Sequence, residues 1–269
     1  MKVEIRALAN IKRPFTVPSL PENTVHIWHG GIVKRDLDLQ TLYRFLSVDE
    51  RVRAKNFHFD KHRNQFISSR GMLRVLLAAY LGNSPERIVL SYSKYGKPLL
   101  SMGLKSSDLN FNISHAEGIA VFSFAKNIQV GIDIERAQQD RNCLEISEHF
   151  FSDYEREYLR FLSDKPLNEA FIRCWTRKEA FVKAKGEGLS MPFHQFDVSL
   201  GEDEPASLLA TRPDPEEALR WTLNDLAIET GYVAAVACER ANCVEGEPVI
   251  VENRSQVVSK APMIFSIGI

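Results

Sequence analysis

The sequence predicts an α+β fold of two similar, pseudo-symmetric lobes, each a small, largely antiparallel sheet packed on one long helix. Two long helical patterns, at residues 61–81 and 166–185, are separated and followed by short stretches of alternating apolar and polar residues. Few strand–helix–strand units are regular enough to require a parallel sheet, which favours antiparallel strands. Each half of the chain supplies one long helix and several strands.

The first half opens with a strand pattern at residues 25–29 and charge-rich helical turns at 37–45 and 48–57. The first long helix follows, and Gly82 and Pro85 should end it. Further strands are predicted at residues 88–92, 111–114 and 119–124, with a turn at 95–98.

The second half begins with a strand at residues 130–134. In the second long helix, Pro166 suits the first turn and Gly186 the C-terminal stop. Short helices are predicted at residues 143–150 and 153–162, late strands at 221–223 and 232–238, and a surface loop at 201–217. We therefore predict an N-terminal lobe at 1–127, a C-terminal lobe at 128–240 and a tail at 241–269 with no assigned role.

Composition narrows the class of protein. The 269 residues are 44% hydrophobic, enough for a buried core, and carry a formal net charge of -1, which gives no global attraction to nucleic acid or an anionic membrane. The four cysteines show no paired metal-ligand spacing and do not suggest a disulfide scaffold. No apolar run approaches the ~20 residues that span a bilayer. The sequence predicts a soluble, cytoplasmic protein.

Acidic residues alternate with isoleucines in the strand at 130–134 and just beyond it. Asp133 and Glu135 should share one face of the strand, while Ile132 and Ile134 enter the core. Carboxylates so close repel each other unless a cation lies between them. A solvated acidic strand face explains this pattern equally well.

A third carboxylate, Glu179, is predicted one helical turn before Lys183 beside a bulky apolar helix face. An ordinary surface ion pair, worth about 0.3–0.5 kcal/mol, would account for these two residues alone. With Asp133 and Glu135, however, Glu179 could complete an oxygen ligand set for Mg²⁺, which binds few carboxylates together with phosphate oxygens. The sequence therefore favours transfer of a phosphate-linked group.

Several other residues could meet a phosphate. His115 follows a predicted strand, and Lys97 lies in a turn where Gly96 permits close backbone approach. Structural or solvated roles are alternatives for both, and for Arg53 and Arg70. Glycine loops of nucleotide-binding proteins, the Gly-x-Ser-x-Gly elbow and cysteine-pair zinc sites are absent from the sequence. The residues by themselves indicate metal-dependent phosphate-ester chemistry.

Five motifs in one order resemble those of the 4′-phosphopantetheinyl transferases of the two-lobed, surfactin-synthetase-activating (Sfp) type. They lie at residues 95–98, 111–115, 131–135, 150–155 and 175–183, so the resemblance covers about residues 46–192. It implies a monomer that binds coenzyme A in the cleft between the lobes, with Mg²⁺ on the pyrophosphate. The metal ligands implied are Asp133, Glu135 and Glu179. The coenzyme A-binding residues implied are Arg53, Arg70, Tyr95, Gly96, Lys97, Pro98, Asn112, Ser114, His115, Asp133 and Lys183.

The resemblance also implies the reaction. A serine of an apo acyl or peptidyl carrier protein of fatty acid, polyketide or nonribosomal peptide biosynthesis attacks the β-phosphate of coenzyme A, and adenosine 3′,5′-bisphosphate leaves. Glu179 is our first choice for the general base and Glu155 our second. Lys183 would neutralise or protonate the leaving oxygen, and His115 could act on a phosphate or a hydroxyl.

The carrier should dock through an acidic helix, so we expect an apolar and basic patch that uses Phe150 and Phe151. Burial of both rings in the core is the alternative. Two other functions stay open. One is a different Mg²⁺-dependent phosphotransferase or nucleotide hydrolase, and the other is a non-catalytic binding module for coenzyme A or a carrier protein.

Overall fold

Twelve strands and six α-helices build the parts of the chain that the computed structural model describes, namely residues 1–10, 16–31, 38–101, 108–138, 142–240 and 250–253. The helices are α1 (Leu39–Phe45), α2 (Val48–Lys55), α3 (Asp60–Leu81), α4 (Cys143–Phe150), α5 (Asp153–Arg160) and α6 (Asp164–Lys185). The strands are β1 (Lys2–Ala7), β2 (Thr24–Gly31), β3 (Leu90–Tyr92), β4 (Pro98–Leu100), β5 (Leu109–Ala116), β6 (Ile119–Lys126), β7 (Val130–Arg136), β8 (Phe196–Val198), β9 (Leu208–Thr211), β10 (Trp221–Asp225), β11 (Tyr232–Glu239) and β12 (Ile250–Asn253).

The strands form two main sheets. One has five strands in the order β12-β1-β2-β6-β5, and the other has three in the order β10-β11-β7. Strand β1 pairs in parallel with β12 and β2, whereas the remaining pairs of both sheets are antiparallel. The predicted α+β class with largely antiparallel sheets is therefore confirmed. Sequence patterning missed β1, β4, β8, β9 and β12. Strand β9 lies within the predicted surface loop at 201–217, so that prediction is wrong for this part of the segment, and β12 brings part of the predicted tail onto the first sheet.

Each long helix packs on one sheet. Helix α3 buries Leu73, Leu76 and Leu77 against Phe122 and Phe124 of β6 in the first core. Helix α6 buries Phe171 and Phe181 with Phe196 in a second core. Both helices end where the sequence predicts, because Gly82 and Gly186 adopt the left-handed conformation that closes a helix C-terminus.

A third core lies between the two sheets. It contains Val25 and Ile27 from β2 together with Ile132, Ile134 and Val236 from β7 and β11. The predicted alternation along β7 is thus confirmed for the isoleucines, which are buried. The intervening residues of β7 face α6. The predicted lobe boundary after residue 127 falls in the connection from β6 to β7 and stays a prediction.

Helix α6 crosses β7 at very short range. A Cβ atom added to Gly131 would lie 2.2 Å from Ala180 O and 2.2 Å from Ala184 N, so only glycine allows this approach. The close crossing sets the face of β7 that carries Asp133 against the last turns of α6. Within the described ranges, the helices are too short or too polar to span a membrane.

Candidate active site

Asp133, Ser114 and Lys183 meet where β5, β7 and α6 come together. The Lys183 ammonium lies 2.6 Å from Asp133 Oδ1 and donates to Ser114 Oγ at 3.0 Å. The Ser114 hydroxyl donates to the same Asp133 oxygen at 2.8 Å. Three side chains distant in sequence therefore form one polar cluster. The fold brings together residues that belong to three separate motifs of the sequence.

The second carboxylate oxygen of Asp133 has no such contacts in the described part of the chain. Asp133 Oδ2 is buried and has no hydrogen-bond partner among the residues that the structure describes. A buried carboxylate oxygen without a donor carries a large desolvation penalty unless a cation or another ligand contacts it. This atom is available to a metal ion or a bound substrate.

Glu179 lies one turn before Lys183 on α6. Burial raises the pKa of the Glu179 carboxyl group, the negative charges of Asp133 and Glu135 raise it further, and Lys183 opposes them. Glu179 makes no hydrogen bond or ion pair with any residue in the described part of the chain. The three predicted acids are therefore electrostatic neighbours, and their mutual repulsion would be relieved by a cation.

Whether the acids fit a divalent metal depends on their present arrangement. In the described ranges, no group of three or more histidine, cysteine, aspartate or glutamate side chains is placed as a ready-made metal site. Lys183 supplies the positive charge at Asp133 instead. The donor set still suits Mg²⁺, because Asp133 Oδ2 is unpartnered and Glu179 is a poorly solvated carboxylate beside it.

Asn112 joins the two main sheets. Its buried side-chain oxygen accepts a hydrogen bond from Ile132 N at 3.0 Å. This bond fixes β5 against β7 beside Asp133 and Ser114. The side chain is thus engaged with the backbone, which gives Asn112 a positioning role.

The predicted turn at residues 95–98 lines a cavity of about 220 Å³. Its walls include the predicted residues Tyr95, Gly96, Lys97, Pro98, Asn112 and Lys183. Four further residues line it that the sequence did not single out as binding residues: Ile113, Val182, Gly186 and Gly188. We expected Gly186 only to end α6. Ile113, Val182 and Gly188 have no polar side chain by which the sequence alone would mark them as binding residues.

Lys97 does not extend freely into this cavity. Its ammonium donates to Val130 O at 3.3 Å and to Ala184 O at 3.0 Å. Burial lowers the pKa of Lys97 to about 8.

His115 lies at the end of β5, where Gln65 Nε2 of α3 is 3.0 Å from its Nδ1 atom. The residue is exposed, yet desolvation by the surrounding protein atoms lowers the pKa of its imidazole. The charges of Lys183 and Arg70 lower this pKa further, while a backbone hydrogen bond and Asp133 oppose them. Lys183 and Arg70 are thus near enough to influence the ring. Sequence inspection missed Gln65, whose contact depends on the packing of α3 on β5.

The two predicted arginines differ in environment. Arg70 is buried beside Glu50, at 3.6 Å, and its guanidinium lies over the rings of Phe66 and Tyr92. Its Nη1 atom is buried without a hydrogen-bond partner among the described residues. Arg53 is exposed and lies over Phe66 from the other helix.

Glu155 lies in a different environment from Glu179. Its side chain is fully buried, with Oε1 2.8 Å from Lys178 Nζ and 2.9 Å from Val198 N. The other oxygen accepts from Ser152 N at 3.1 Å in the capping box of α5. These contacts occupy both oxygens, so Glu155 links α5, α6 and β8.

The two phenylalanines of the predicted docking patch differ in their exposure to solvent. Phe151 is 1% exposed and belongs to the second core. Phe150 is 48% exposed and packs edge-on against Trp175. Only Phe150 presents apolar surface to solvent.

Two family models match consecutive parts of the chain. Residues 35–127 match the model described as 4′-phosphopantetheinyl transferase, N-terminal, and residues 129–237 match the 4′-phosphopantetheinyl transferase superfamily. The chain is 35% identical to 4′-phosphopantetheinyl transferase HetI of a Nostoc species, over 81% of this chain and 89% of the relative. It is 27% identical to 4′-phosphopantetheinyl transferase Sfp of Bacillus subtilis, over 71% and 81%.

A solved structure, the holo-[acyl-carrier-protein] synthase of Thermotoga maritima, aligns with 41% of this chain and 62% of its own at 19% identity and a TM-score of 0.33. The family models and the curated relatives, not this structural likeness, show that the molecule is an enzyme of the transferase class. The chain belongs to the 4′-phosphopantetheinyl transferase superfamily, and the predicted family is confirmed.

Proposed function

We propose that this enzyme transfers the 4′-phosphopantetheine group of coenzyme A to a serine of an apo acyl or peptidyl carrier protein. Adenosine 3′,5′-bisphosphate is the second product. One observation besides family membership supports this proposal most strongly. The Asp133–Ser114–Lys183 cluster adjoins the cavity, because Lys183 belongs to both.

Coenzyme A would bind along the turn at residues 95–98, with Tyr95, Gly96 and Pro98 as walls of the cavity. His115 and Arg70 are proposed to receive the 3′-phosphate, with Ser114 and Arg53 nearby. The free Nη1 atom of Arg70 supports this assignment, since a phosphate oxygen would satisfy it. Asn112 would hold the two sheets in register at this site.

Mg²⁺ would be held by Asp133, Glu135 and Glu179. When bound, the ion would neutralise negative charge on the pyrophosphate as the reaction proceeds. Its binding would also relieve the repulsion of Glu179 by Asp133 and Glu135, which adds to the larger effect of burial in raising the pKa of Glu179.

Glu179 is the proposed general base. Its raised pKa makes the carboxylate a better acceptor for the proton of the attacking serine than a solvated glutamate would be. Lys183 is proposed to donate a hydrogen bond or a proton to the leaving pyrophosphate oxygen, because its ammonium already lies in the cluster. Glu155, our second choice for the base, has both oxygens engaged in the protein interior, which favours Glu179.

We propose that the carrier docks beside the cleft and uses the exposed ring of Phe150. An acidic helix of the carrier would find His149 on α4 and Arg156 on α5, where it would compete with Glu148 and Asp153 for the arginine. Phe151 contributes to the core instead. We further propose that the enzyme works as a monomer in the cytoplasm. Cys174 and Cys238 are buried and form no disulfide within the described ranges, as in a reducing compartment.

Product analysis tests this function against its alternatives. The protein is incubated with coenzyme A, Mg²⁺ and an apo carrier protein, and adenosine 3′,5′-bisphosphate is measured by chromatography. The proposal predicts release only when the carrier has its acceptor serine, and none with a serine-to-alanine carrier or with EDTA. Release without any carrier would indicate a hydrolase. Coenzyme A binding without release would indicate a binding module.

A further inference from the structure

Lys97 links the two halves of the molecule at the wall of the cavity. It lies between β3 and β4, and its ammonium bonds to Val130 O and Ala184 O. Val130 is the first residue of β7, and Ala184 lies in the last turn of α6. These two elements carry Asp133 and Lys183. One side chain from the N-terminal half therefore contacts both elements that build the reactive cluster.

The local backbone directs Lys97 toward these carbonyls. Lys97 N donates to Ser93 Oγ at 3.1 Å, and Lys97 O accepts from Ser93 N at 2.8 Å, which closes the turn. The aliphatic part of the side chain then runs beside Gly186. A Cβ atom at Gly186 would lie 3.2 Å from Lys97 Cδ. The turn and the glycine together leave a defined path for the lysine.

The charge of Lys97 suits the end of a helix. The last carbonyl groups of α6 have no partner within the helix, and a cation near them is favoured by the helix dipole. Two of the three ammonium donors are used by these backbone oxygens. A phosphate that drew the ammonium away would leave Ala184 O without this donor.

The contact does not mainly serve stability. The pKa of Lys97 falls to about 8 because the two carbonyl groups do not compensate fully for burial of the ammonium. An apolar side chain of similar length would avoid this desolvation. A half-buried, desolvated cation whose hydrogen bonds join two halves of a binding site is better explained by function.

Resting on the proposed function, we propose that Lys97 is a positioning residue that fixes β7 and α6 against the turn lining the cavity. It acts on coenzyme A through the shape of the cavity and not through a bond to the 3′-phosphate. The family resemblance instead implies that Lys97 contacts coenzyme A directly.

Comparison of coenzyme A with 3′-dephospho-coenzyme A tests the proposal. Isothermal titration calorimetry gives the dissociation constants of both nucleotides for wild type and Lys97→Met, whose side chain has similar length without charge. The variant should weaken both by the same factor, on the order of tenfold, as expected for lost charge-assisted hydrogen bonds that order the site. His115→Asn is the reference, because a residue at the 3′-phosphate should weaken coenzyme A selectively.

Two further measurements separate positioning from a general structural role. Lys97→Met should not lower the thermal midpoint below that of wild type, because methionine avoids the desolvation of the ammonium, yet it should lower kcat at saturating coenzyme A and raise KM. Lys97→Arg, which keeps a charge able to reach the carbonyls, should recover part of the affinity for both nucleotides and serves as the folded variant if Lys97→Met is unstable.

A loss confined to coenzyme A would overturn the proposal and assign Lys97 to the 3′-phosphate. Unchanged affinity for both nucleotides would overturn it as well. Failure of the wild-type protein to bind either nucleotide would instead contradict the proposed function on which this inference rests.

Discussion

Lys183 Nζ lies 2.6 Å from Asp133 Oδ1, with the Ser114 hydroxyl bonded to both. The lysine thus supplies at Asp133 the positive charge that a divalent metal would bring. Asp133 would be among the residues that hold Mg²⁺, and Lys183 would then oppose metal binding because both cations interact with the same carboxylate. Two charges at this range in a partly buried site interact strongly.

Removal of this lysine should therefore strengthen metal binding in the absence of coenzyme A. Lys183→Met is expected to bind Mn²⁺ on the order of tenfold more tightly. A tenfold change in affinity corresponds to only about 1.4 kcal/mol, which is a modest share of the interaction between Lys183 and Asp133 that metal binding must otherwise overcome. Electron paramagnetic resonance of free Mn²⁺ measures the change. Lys185→Met is the matched control, because Lys185 pairs with Glu217 at 2.9 Å and not with Asp133. Equal or weaker Mn²⁺ binding by Lys183→Met would contradict the competition.

The two candidate bases should respond oppositely to substitution by glutamine. Glu179→Gln should keep its thermal midpoint, because this carboxylate lacks a hydrogen bond in the described part of the chain, but should lose transfer by about 10²–10⁴-fold. Glu155→Gln should be destabilised by about 3–5 kcal/mol, because it leaves the buried Lys178 ammonium without its counter-ion. Denaturant unfolding and single-turnover transfer measure the two effects. A stable Glu155→Gln variant without activity would restore Glu155 as the base.

The crossing of α6 over β7 should not tolerate a methyl group. Gly131→Ala is expected to lower the free energy of unfolding by about 1–3 kcal/mol or more, because the added Cβ meets backbone atoms that cannot rotate away. Gly31→Ala is the control, since its nearest contact would be 3.7 Å away. Chemical denaturation of both variants checks the prediction, and similar stabilities would show that α6 can shift.

Lys97 should give the stability a pH dependence of defined sign. Its pKa is about 8 in the folded protein and 10.5 ordinarily, so between these values the unfolded chain binds more protons. Stability of wild type relative to Lys97→Met should therefore rise as pH increases from about 8 to 10.5, and be independent of pH just below this window. Urea unfolding at several pH values measures it. Parallel profiles would mean that the ammonium is not buried as described.

Much of the fold could be predicted because its signals are local. The long helices end at Gly82 and Gly186, where left-handed glycines stop them, and the isoleucines of β7 alternate into the core. Strands β1 and β12 were missed because they pair with segments distant in sequence, which no local pattern reveals. Strands β4, β8 and β9 were missed because three or four residues are too few to show a periodic pattern.

The candidate site was predictable as a set of residues but not as an arrangement. Motif order selects Asp133, Glu179 and Lys183, yet it cannot tell that Lys183 already pairs with Asp133. Nor could it separate Glu155 from Glu179, since burial beside Lys178 arises only when α5, α6 and β8 pack. The carbonyl partners of Lys97 are likewise backbone atoms distant in sequence.

The proposed transfer of phosphopantetheine from coenzyme A to a carrier serine should be visible in the mass of the carrier. Intact-mass spectrometry is run on an apo acyl carrier protein incubated with the enzyme, coenzyme A and Mg²⁺. We expect a mass gain of one phosphopantetheine group on the carrier, abolished by EDTA and strongly slowed in Glu179→Gln. An unchanged mass across several acyl and peptidyl carriers, with coenzyme A binding still measurable, would contradict it.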